Sequence, residues 1–160
     1  MKLKAVPLLL TLAVGMLLPA VNNESALAAV PAGPAIASDG CSGTLVETEP
    51  IDTVQTSTTV GYLNLYWNSS TGQNCATATS ASVDWGVVKP MGVTIYQCAG
   101  STPCSPPYNL QVSDPAGGGL ANYAYYAGPV SVPGAGHCVW ASAGITWNGE
   151  RASAVTRWHC

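Results

Sequence analysis

Six cysteines, Cys41, Cys75, Cys98, Cys104, Cys138 and Cys160, follow an N-terminal stretch with the marks of an export signal, and no other feature constrains the chain as strongly. Disulfides persist in oxidising compartments, so an exported chain of this size is expected to be cross-linked. Lys2 and Lys4 precede the apolar run Ala5–Ala20, and Ala26-Leu27-Ala28 supplies small residues for cleavage, with Ala35-Ile36-Ala37 as an alternative. Pro7, Gly15 and Pro19 interrupt the run, whereas a transmembrane anchor needs about 20 apolar residues. The expected organisation is a secretory signal over residues 1–28, a flexible Ala/Pro-rich tail over 29–40 and one disulfide-rich domain over 41–160.

Without the leader, Lys89, Arg151 and Arg157 stand against Asp39, Glu47, Glu49, Asp52, Asp84, Asp114 and Glu150. Phosphate binding draws its affinity from clustered Lys and Arg, so this mildly acidic balance argues against a nucleic-acid or anionic-membrane partner. No later segment is apolar over the length of a transmembrane helix.

The cysteines permit many pairings, and sequence alone does not choose among them. Cys98 and Cys104 bracket a short Gly- and Pro-containing segment whose ends easily reach disulfide distance, so this pair is expected. For the others, the sequential bridges Cys41–Cys75 and Cys138–Cys160 are favoured, with Cys41–Cys160 as a competitor. Metal ligation fails on spacing. There is no Cys-x-x-Cys, and the adjacent side chains of His137-Cys138 and His159-Cys160 would point to opposite faces if extended. No metal or cofactor is expected.

Apolar residues recur with the period of a strand. Leu63, Leu65 and Trp67 alternate with Tyr62 and Tyr66, and a turn cluster, Asn68 to Asn74, leads to a second strand through Cys75–Thr79, a hairpin. Val83, Trp85 and Val87 predict a strand before Pro90, Val93 and Ile95 one after it, and Leu110 and Val112 a weaker one. Asn122–Val132 and Cys138–Trp147 flank Pro133-Gly134-Ala135-Gly136 and read as a second hairpin; Ala152–Trp158 is the last strand. The expected fold is all-β: a disulfide-stapled antiparallel sandwich or small barrel of about seven to nine short strands.

The run from Tyr62 to Asn68 leading to Asn74-Cys75, the segment from Asn122 to Val130 leading to His137-Cys138-Val139-Trp140, and the terminal Trp158-His159-Cys160 resemble the spore-associated protein A family of actinomycetes. Tyr-Tyr-Ala-Gly-Pro-Val is the distinctive part, and the likeness covers about Cys41 to Cys160. The segment from Cys98 through its Pro-rich continuation reads as an insertion relative to that pattern. The resemblance implies a small secreted protein found with spores or aerial growth. It carries over no catalytic residues.

Catalytic constellations are weak. Glu47 and Glu49, two apart, would share a strand face, but a glycosidase needs its carboxyls flanking the scissile bond in different environments, and a solvated edge strand is the plainer reading. No Gly-x-Ser-x-Gly is present, and the only histidines abut cysteines expected to be bridged. The aromatics are the better lead: Tyr62 and Tyr66 share one strand face and Tyr123 and Tyr125 another, and if exposed they could stack on sugars or a protein. The expectation is a non-enzymatic, secreted cell- or spore-surface protein acting by binding or coating, with a wall or spore polymer or another surface protein as partner. The alternatives are a carbohydrate- or cell-wall-binding module using those tyrosines, and a proteinase inhibitor presenting the Cys98–Cys104 loop.

Overall fold

The computed structural model describes residues 39–160, and the leader and the tail up to residue 38 lie outside the described residues. Nine strands follow one another: β1 (Thr44–Thr53), β2 (Thr59–Asn68), β3 (Gln73–Ser80), β4 (Lys89–Gln97), β5 (Leu110–Asp114), β6 (Ala121–Tyr123), β7 (Tyr126–Pro133), β8 (Val139–Trp147) and β9 (Glu150–Val155). The described residues contain no helix. The strands form one antiparallel sheet ordered β5-β4-β8-β9-β1-β2-β3-β7, with β6 prolonging the β5 edge of β4.

Alternation builds the core. Leu63 and Leu65 of β2, Met91, Val93 and Ile95 of β4, Val130 and Val132 of β7, and Val139 and Ile145 of β8 are all buried in one cluster with Ile51 and Val60. Each such side chain contributes about 1.5–3 kcal/mol on leaving water. A single sheet can enclose a core only by curling, and its two ends, β4/β5 and β7, come together. No backbone ladder pairs them; side chains bridge the seam. Asp114 Oδ2 accepts from the Gly128 amide (2.6 Å) and the Gln97 amide donates to the Pro133 carbonyl, while Asp114 Oδ1 accepts from the Tyr123 hydroxyl of β6 on its own side (2.5 Å). The result is a nearly closed barrel rather than a sandwich.

All three expected bridges are present: Cys41–Cys75, Cys98–Cys104 and Cys138–Cys160, with Cα separations of 5.7, 5.8 and 4.0 Å. All six cysteines gather at the end of the barrel where β2, β4 and β7 finish, here the stapled end. Packing begins before the first cysteine, since buried Asp39 accepts from the Tyr66 and Thr77 hydroxyls and the Cys41 amide.

Three local expectations are corrected. Val83–Val87 is a run of turns, closed by Asp84 N to Ala81 O and Val87 N to Asp84 O, and its valines face solvent. β7 and β8 do not form a hairpin: β7 pairs with β3, and β8 lies between β4 and β9. Finally, β1 is no edge strand, as it pairs with both β2 and β9, and Glu47 is buried.

Candidate functional site

The opposite end of the barrel, where β2, β4 and β7 begin, carries the loop from Ala81 to Val88 between β3 and β4. Val83, Trp85, Val87 and Val88 are all exposed on it, Val88 by 66% and Trp85 by 37%. Tyr125, between β6 and β7, is 49% exposed, and its ring packs on Trp85 at 5.2 Å between centroids. Several large apolar side chains exposed on one loop mark a candidate interaction surface.

A buried ion pair holds the loop in this form. Lys89 at the start of β4 and Asp84 in the loop are 3% and 0% exposed, with Nζ 3.3 Å from Asp84 Oδ2. The ammonium donates its protons to Ser80 Oγ (2.7 Å), the Asp84 carbonyl (3.0 Å) and the Val87 carbonyl (3.1 Å). Two of the three acceptors are loop carbonyls, so one lysine ties the loop backbone to β3 and β4. The Asp84 carboxylate receives the charge of Lys89 but no directed hydrogen bond. Burial accordingly raises the Asp84 pKa, with Lys89 only partly offsetting it, and lowers that of Lys89. Because these two charges are turned inward, the outward face of the loop is left to valines, the Trp85 ring and Gly86, which sits against the Tyr125 ring.

The four tyrosines singled out from sequence separate into two kinds. Tyr62, 41% exposed on the outer face of β2, and Tyr125 face solvent. Tyr66 and Tyr123 are half-buried and anchored by carboxylates: Tyr66 donates to Asp39 (3.0 Å) and Tyr123 to Asp114. Burial and the Asp39 charge push Tyr66 up to about 12, and the hydrogen bond to Asp114 does the same for Tyr123. Each pair thus holds one exposed and one half-buried ring, so neither is a row of exposed rings, and Tyr125 packs on exposed Trp85. Sequence reasoning placed Trp85 in a strand and missed its exposure, because the alternation of Val83, Trp85 and Val87 reads as a strand face.

A second aromatic group lies on the outer face of β4 and β8. Tyr96 and Trp140 stand opposite each other and stack at 4.3 Å, flanked by Tyr108 and Trp158. Beside them runs an open groove of about 330 Å³ lined by Thr94, Tyr96, Ser142, Ser153 and Leu120. Gly92 forms its far end, where the Gly119 carbonyl lies only 2.1 Å from the position of a Cβ, so any side chain there would displace the 115–120 loop.

The stapled end carries the titratable cluster. Glu47 of β1, buried, accepts from the Arg157 amide (3.1 Å), Arg157 Nε (2.9 Å) and His159 Nε2. Burial alone would raise its pKa, but the hydrogen bonds from His159 and Arg157 outweigh it and hold the carboxyl below its ordinary range. Glu49, beside it, is pushed up by the Glu47 carboxylate. The two are split in the manner of an acid and a base. Yet they lie against each other instead of flanking a space for a glycosidic bond, and Glu47 is engaged by three donors. Its role is to fasten the C-terminal segment to β1. His137 and His159 both line a cavity of about 330 Å³ with Trp67, Asn74 and Gly134. Every cysteine is bridged, so no thiolate is available as a nucleophile.

Comparison with family models, with curated proteins and with solved structures gives no match.

Proposed function

We propose that this chain is an exported protein of the cell or spore surface that acts by binding rather than turnover, and that another surface protein docks on the Val83–Val88 loop and Tyr125. The observation that carries the reading is an exposed, preorganised apolar patch centred on Trp85, held outward by the buried Lys89–Asp84 pair. A rigid aromatic anchor among aliphatic neighbours is the composition of an interface core, and preorganisation removes part of the ordering cost of binding. The three disulfides and the leader-like start support an extracellular setting. The resemblance to the spore-associated protein A family supports the surface of spores or aerial cells.

A second reading has an observation of its own: the hydroxyl-floored groove beside Tyr96 has the concavity and mixed lining of a saccharide site. Retention of the purified, oxidised protein on isolated spores and walls separates the two. Protein docking predicts retention that protease treatment of the matrix abolishes and that Trp85→Ala weakens. The saccharide reading predicts retention that survives protease treatment and is lost in Ser142→Trp, which fills the groove.

A further inference from the structure

His137 and His159 are 22 residues apart, yet the structure gives them the same preparation. His137 Nδ1 lies 2.9 Å from the Cys98 carbonyl oxygen, which can only accept, so in the neutral ring the proton sits on Nδ1 and the lone pair is on Nε2. His159 Nε2 faces the Glu47 carboxylate, again an acceptor, so in the neutral ring Nε2 carries the proton and the lone pair is on Nδ1. Neither bare nitrogen has a protein partner among the described residues. A single backbone bridge pairs Val139 with His159, the Cys138–Cys160 disulfide lies beside it, and both histidines are among the residues that line one cavity.

An imidazole whose other N–H is fixed by a carboxylate or a backbone carbonyl is the arrangement found behind metal-ligating histidines, because it sets the tautomer and raises the basicity of the free nitrogen. We propose that this cavity takes a divalent transition-metal ion of the imidazole-preferring kind, with copper(II) bound most tightly, between His137 Nε2 and His159 Nδ1. No group of three or more His, Cys, Asp and Glu side chains converges as a metal cage among the described residues. The ion therefore keeps water on its remaining positions, and the site is open rather than structural. The bridged cysteines supply no ligand, so the objection from Cys spacing does not reach a site made of imidazoles.

The test is a calorimetric titration of the oxidised protein with copper(II), nickel(II) and zinc(II), with electron paramagnetic resonance of the copper form. The expected result is one copper ion per chain with nitrogen hyperfine splitting, and at least a tenfold loss of affinity in each of His137→Ala and His159→Ala. Nickel and zinc should bind more weakly. Near-ultraviolet circular dichroism checks that each variant is folded, and His137→Gln, which can keep the bond to Cys98, replaces His137→Ala if that variant unfolds. Copper affinity unchanged in the folded histidine variants, or no binding above that of the doubly substituted protein, would overturn the site.

Discussion

Lys89 and Asp84 are the residues on which the proposed docking surface depends. Removing one member of a buried pair leaves the other charge uncompensated, so Asp84→Ala should destabilise the domain by about 3–5 kcal/mol in urea unfolding. Joint replacement by Leu at 84 and Met at 89 should recover most of that loss, because it removes the desolvation cost together with the attraction. The loop itself should then loosen, since the lysine's bonds to the Asp84 and Val87 carbonyls go with it. Tyr66 and Tyr123 offer a second check at this scale. Both ionise at about 12 in the folded protein, against an ordinary value of 10.0. The unfolded chain thus loses these protons first, and stability must fall as pH rises from 10 toward about 12. Ultraviolet absorbance titration should place both phenols there, and Asp39→Asn should bring Tyr66 down while leaving Tyr123 unmoved.

Among the elements, the C-terminal segment meets β8 through backbone bonds at Val139 and Ala141 but meets β1 through side chains, as the seam does. Glu47 fastens Arg157 and His159 to β1 with a carboxyl whose folded pKa is lowered. That stabilisation is complete above the unfolded value, about 4.3, and is lost as pH falls through the folded one. Glu47→Gln should flatten this acid-induced loss, measured by unfolding midpoints across that range. Asp114→Ala should cost roughly 1–3 kcal/mol by orphaning the Gly128 amide, whose hydrogen exchange should accelerate. Unchanged exchange at Gly128 would mean that the seam does not rely on Asp114.

These elements also show where sequence was informative. The β2–β3 hairpin was legible because both alternation and turn chemistry are local: Leu63 and Leu65 point inward, and Asn68 Oδ1 caps the turn by accepting from Ser70 and Thr71. The β7–β8 connection looked like another hairpin for the same local reasons, but pairing partners are chosen by the whole sheet, and β7 pairs with β3 while β8 pairs with β4 and β9. Val83, Trp85 and Val87 misled because alternation usually signals a buried face. Here it belongs to an exposed loop whose inward residue is Asp84. That Lys89 would be buried beneath it had no local signature at all.

Over the whole molecule, the disulfide staples and the proposed docking surface lie at opposite ends of the barrel. The stapled end gathers three disulfides, the Glu47 cluster and the two-histidine cavity, while the far end presents Trp85 and its valines on a loop held by one lysine. The covalent framework was readable from cysteine spacing, whereas the division into two ends emerges only when strand directions are known. The most direct test of the account is the retention of the oxidised protein on isolated spores and cell walls, comparing wild type with Trp85→Ala and Val88→Ser. Docking on this patch predicts saturable retention that falls at least tenfold in both variants while the unfolding midpoint stays put. Equal retention of all three proteins, or none by any of them, would contradict the assignment of this patch as the docking surface.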